Sequence, residues 1–90
     1  KIKVILCSVL PASNYPWRPK KNPHTQIPIL NELIKDYAEK EGFYYLDYFS
    51  SMTDGKNGLK ENYGNDGVHP NITGYKVMQK MVLKAIDKIL

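Results

Sequence analysis

The chain has 90 residues, 13 basic against 9 acidic side chains, a net charge of +4, and 42% hydrophobic and 24% charged content. These values suit one small globular domain or part of a larger one. They exclude a transmembrane helix, because no apolar run approaches the ~20 residues that a bilayer requires, and a single cysteine excludes an internal disulfide.

Lys3 to Val9 is a nearly continuous apolar, β-branched run stopped by Leu10-Pro11. Such a run predicts a strand covered on both faces, as in a parallel sheet, with Cys7 as a small buried hydrophobe. The first residues are too short for a signal peptide and have no small-residue cleavage site. Residues 11–24 hold four prolines around Asn14-Tyr15 and Trp17-Arg18, and predict a long irregular loop of the kind that carries function. His24 reads as a loop histidine.

Ile27, Leu30, Ile34, Tyr37 and Ala38 then recur at helical spacing, with Asn22 or Thr25 as cap and Gly42 as terminator. Pro28 is tolerable only in a first turn, which places the helix start near residues 26–28. Phe43 to Tyr48 predicts a second strand and residues 50–67 a loop. From about Thr73 the positions Tyr75, Met78, Val82, Ala85, Ile86 and Ile89 form one apolar stripe, capped by Asn71 or Thr73. Strand, helix, strand, helix implies a right-handed crossover and a parallel pair. Two strands and two helices cannot cover both edges of a sheet, so upstream strands or a second copy are expected to supply the cover.

The chemistry concentrates in Asp66-Gly67-Val68-His69-Pro70. An imidazole and a carboxylate three positions apart can form the base and orienting acid of a serine-hydrolase relay. Gly67 permits a tight turn and Pro70 stiffens the backbone after His69, while the alternative is a surface turn that starts a helix. Ser8, Ser13, Ser50 and Ser51 lack the context of a nucleophile. Two histidines 45 positions apart match no metal-ligand spacing, and no cofactor is expected. The lysines at 76, 80, 84 and 88 alternate with apolar positions as a solvated face does, so no nucleic-acid partner is expected. Asp47 reads as a cap or loop-amide acceptor. Tyr44, Tyr45, Tyr48 and Tyr63 read as core or rim residues rather than a stacking platform.

The block Asp66-Gly67-Val68-His69-Pro70-Asn71-Ile72-Thr73-Gly74-Tyr75 resembles the end of the SGNH (Gly-Asp-Ser-Leu) hydrolase family, in which Asp-x-x-His-Pro opens the last helix. The likeness runs upstream through an apolar strand ending in Ser-Val-Leu-Pro, a long loop, a helix with Asn31 and a strand ending in Leu46-Asp47. It implies an α/β, flavodoxin-like three-layer α/β/α fold, of which residues 1–90 are the carboxy-terminal portion of a single domain. It also implies ester hydrolysis of small substrates such as short-chain acyl esters, acetylated sugars or lysophospholipids. Asp66 is then the acid and His69 the base, and the serine block and oxyanion donors are expected before Lys1, so the isolated chain is expected to be inactive. Trp17 and Arg18 are candidate substrate contacts at the carboxyl end of the first strand. The compartment is not fixed, with a periplasmic or secreted location favoured over a cytoplasmic one. The competing expectation is a non-catalytic binding or assembly module that pairs through its exposed sheet edge.

Overall fold

A computed structural model describes residues 2–15, 17 and 20–90. Strand β1 (Ile5–Cys7) and strand β2 (Tyr44–Leu46) pair in parallel, with Ile5 opposite Tyr44 and Cys7 opposite Leu46. Helix α1 (Pro23–Glu41) makes the crossover between them, and helix α3 (Ile72–Ile89) closes the chain. A short helix α2 (Tyr48–Met52) and a 3₁₀ turn (Glu61–Tyr63) lie between β2 and α3.

The side-chain alternation of the strands divides the packing into two sides. Ile5, Tyr44 and Leu46 join Tyr48, Met52 and Leu59 against Val77, Met78, Met81, Val82 and Ala85 of α3. Tyr45, on the other face, borders a hollow with Asn31, Glu32 and Lys35 of α1. The layers are therefore α1, sheet and α3, which is the α/β arrangement that the strand–helix order implies.

Both strands are shorter than the apolar runs suggest. The ladder extends past β1 by one bond, from Ser8 N–H to the Leu46 carbonyl at 3.0 Å. Beyond it Val9 turns to Asn31, and at β2 the backbone bends into α2, so Tyr48 and Ser50 are helical rather than strand and loop. Cys7 is exposed, contrary to the buried position expected. It ends β1, whose outer edge has no strand partner among the described residues.

Helix α1 begins at Pro23, so His24 is an exposed helical residue and not a loop histidine. Pro23 suits a first turn, where its missing N–H loses nothing, but Pro28 lies inside the helix. Pro28 cannot donate to the carbonyl four residues back, that of His24. That carbonyl instead accepts a 3.1 Å bond from the Asn57 side chain. A residue from the loop after β2 thus offsets the proline, and the helix runs longer than the proline alone allows.

The buried stripe of α1 is Pro23, Ile27, Asn31 and Ala38, while Leu30 and Tyr37 face outward at 45% and 54% exposure. In α3, Val77 and Met81 pack inward and Tyr75 faces out, a rotation of the expected stripe by about one position. Asn71 caps α3, its side-chain oxygen accepting from Gly74 N–H at 2.9 Å. No helix among the described residues is long and apolar enough to cross a membrane.

Candidate active site

The carboxyl ends of the two strands are fastened by side chains. Asn31 holds Val9 from both sides: its carbonyl oxygen accepts from Val9 N–H at 2.7 Å and its amide donates to the Val9 carbonyl at 3.0 Å. It does the work of a short piece of adjacent strand from within a helix. Ser8 is buried, and its hydroxyl oxygen accepts from Phe49 N–H at 2.9 Å. Asp47 caps α2, accepting from Ser50 N–H at 3.0 Å and from the Ser50 hydroxyl at 2.5 Å.

The Asp66–His69 turn is clamped at both ends. Gly64 bridges to Pro70, Asn71 N–H donates to the Tyr63 carbonyl at 2.7 Å, and the Asn71 amide donates to the Asn62 carbonyl at 3.1 Å. Gly64 has room for no side chain. A Cβ there would lie 2.6 Å from the His69 carbonyl oxygen and 2.5 Å from Leu59. Between the clamps Gly67 takes φ +78°, a left-handed conformation that other residues adopt only with strain. That turn brings two amides onto one oxygen of Asp66: Oδ1 accepts from Val68 N–H at 2.9 Å and from His69 N–H at 2.8 Å. The other oxygen, Oδ2, lies 2.7 Å from His69 Nδ1.

Both carboxylate oxygens are thus engaged inside a single turn. The amide of His69, then its ring, then the amide of Val68 hold the Asp66 carboxyl well below the usual carboxylate range. An ionised carboxylate only accepts hydrogen bonds, so the hydrogen of the pair resides on Nδ1. In the neutral ring this leaves the lone pair on Nε2, where no described group bonds it. The imidazole side chain is 68% exposed and that of Asp66 47%. The base is therefore oriented on one side and open on the other.

Trp17 lies at this opening, 58% exposed. Its indole stacks on the His69 imidazole with ring centres 5.8 Å apart and planes 25° apart, and on Tyr15 at 5.6 Å and 20°. The structure brings Trp17, Asp66 and His69 together, whereas Arg18 lies outside the described residues. Sequence patterning did not reveal the clamp formed by Asn31, and its only trace was a polar residue on the apolar face of α1. No serine among the described residues bonds His69; Ser8 and Ser50 are committed to Phe49 and Asp47. No three histidine, cysteine, aspartate or glutamate side chains gather among the described residues in a way that could hold a metal ion.

Comparison with known proteins gives the family of the chain. The profile of the GDSL-like Lipase/Acylhydrolase family matches residues 1–77. A GDSL-like lipase from Bacteroides thetaiotaomicron is 40% identical with a TM-score of 0.90, and the match covers 100% of this chain and 45% of that one. A candidate acylhydrolase from Bacteroides fragilis is 41% identical with a TM-score of 0.89, covering 98% of this chain and 43% of that one. The chain spans less than half the length of these two structures. No curated protein matches it.

Proposed function

The chain belongs to the GDSL-like lipase/acylhydrolase family, and from that premise we propose that it supplies the acid and base of an ester hydrolase whose serine nucleophile lies outside these 90 residues. The observation that carries the reading is the 2.7 Å contact between Asp66 Oδ2 and His69 Nδ1, with Nε2 turned to the open side. In the proposed cycle a serine hydroxyl attacks the ester carbonyl while Nε2 of His69 takes its proton. The imidazolium then returns that proton to the departing alkoxide, and a water repeats the sequence to release the acid. Asp66 keeps the hydrogen on Nδ1 and stabilises the imidazolium without becoming protonated itself.

Residues 1–90 are, in this reading, the carboxy-terminal portion of one hydrolase domain. The remaining portion of that domain, or a second copy of the chain, covers the outer edge of β1. Substrates are small acyl esters, among them acetylated carbohydrate and lysophospholipid, with Trp17 and Arg18 as the candidate substrate contacts. The location proposed is the periplasm or the cell exterior. Without the attacking hydroxyl and oxyanion donors most of the acceleration is lost, so the 90-residue chain alone is inactive.

The test is hydrolysis of p-nitrophenyl acetate by the complete protein and by its His69→Ala variant. The expected loss is on the order of 10⁴-fold with the fold retained. Retained turnover in a folded His69→Ala protein refutes the role of His69, and turnover by the isolated chain refutes its incompleteness.

A further inference from the structure

We propose that Trp17 is a positioning residue for His69, its indole face holding the plane of the imidazole and stabilising the imidazolium that forms during ester cleavage. The inference rests on the reading of His69 as the base and adds a function for a residue outside the acid–base pair.

His69 is fastened by one side-chain hydrogen bond, at Nδ1. A single bond on one edge leaves the ring able to rock about the axis through that bond, and within these 90 residues the imidazole is 68% exposed. The indole supplies the missing restraint. A centroid distance of 5.8 Å and planes 25° apart lie within the offset-stacked range of 4.5–7 Å typical of aromatic pairs. Tyr15, half-buried, stacks on Trp17 at 5.6 Å and 20°, so the indole is itself held. Three rings thus stand in series, from the loop after β1 to the base.

The stack also acts on charge. The face of an indole is electronegative, and a cation within about 6 Å of its centre is attracted to it. When His69 takes a proton, the positive charge appears on a ring already at that distance. Asp66 meets the same charge at the edge of the imidazole, and Trp17 meets it at the face. An interaction that strengthens only as the proton is transferred raises kcat and leaves KM alone.

The experiment compares the complete protein with Trp17→Ala, Trp17→Leu and Trp17→Phe on p-nitrophenyl acetate, with circular dichroism to establish folding. Within these 90 residues Trp17 is largely exposed, so none of the three removes packing from their core. The expected result is a fall in kcat of roughly 3- to 30-fold for Ala and Leu, KM unchanged, and recovery of most of the loss by Phe. A second readout needs no substrate: the His69 Nδ1–H proton resonance broadens through solvent exchange in Trp17→Ala and stays sharp in Trp17→Phe. A rise in KM with kcat unchanged would make Trp17 a substrate contact only and overturn the proposal. So would unchanged kinetics, or a Leu variant equal to Phe, which would reduce the indole to bulk. Failure of the base assignment is separate, because it appears in His69→Ala and not in the Trp17 series.

Discussion

Replacing Gly64 by alanine tests whether the turn that carries His69 is rigid. Gly64 has an extended backbone, φ −163° and ψ 149°, so alanine meets no conformational penalty there. The entire effect is steric. The new Cβ would sit 2.6 Å from the His69 carbonyl oxygen, where ordinary contact begins at 3.4 Å, so the two backbone segments must separate by roughly 0.8 Å. Leu59 at 2.5 Å can swing aside, but the carbonyl cannot move without His69 moving with it. Overpacking of this kind costs about 1–3 kcal/mol. A displacement approaching 1 Å at a catalytic group lowers rates by up to about 10²-fold. Gly64→Ala is therefore expected to lower the urea midpoint and to reduce kcat in the complete protein by more than the loss of folded protein explains. Asn65→Ala, at the exposed neighbouring residue, is the control and leaves both unchanged. If Gly64→Ala retains wild-type kcat and midpoint, the turn yields freely and the clamp assigned to Gly64 and Pro70 does not constrain His69.

Two further outcomes follow from the same geometry. Asn31→Leu leaves the Val9 N–H and carbonyl without their partners in a part-buried setting and costs about 2–4 kcal/mol by urea denaturation; a cost below 0.5 kcal/mol would show that water replaces the amide. The folded-state carboxyl of Asp66 is depressed, so its contribution to stability is fully present above the unfolded value of about 3.9 and is lost as pH falls toward the folded one. The stability difference between wild type and Asp66→Asn is thus expected to shrink as pH falls below about 4. A difference that grows as pH falls from about 4 to about 2 would reverse the assignment.

The features legible from sequence are the local ones. Asp66 and His69 are three residues apart with Gly67 between them, and their hydrogen bond needs only the turn that such residues favour. The order of elements and the parallel pairing also follow from the periodicity and turn residues. Long-range partners explain the departures. Pro28 signals a late helix start until Asn57 supplies a donor to His24, and no pattern within α1 announces that donor. Cys7 reads as core because its neighbours are apolar, although β1 has a partner on one edge alone among the described residues. Asn31 interrupts an apolar stripe for the sake of Val9, a residue 22 positions away. Trp17 could be named from its loop, but its approach to the imidazole depends on how α3 and β1 are brought together.

Because the amides of Val68 and His69 and the ring of His69 all converge on one carboxylate, the acid and base behave as a prefabricated cassette. Hinge motion elsewhere in the protein carries both together and cannot pull them apart. The reach from Nε2 to an incoming hydroxyl and the tilt of the ring are then the adjustable coordinates of the relay, and substitutions that tune turnover without touching the pair are to be sought among residues that set them.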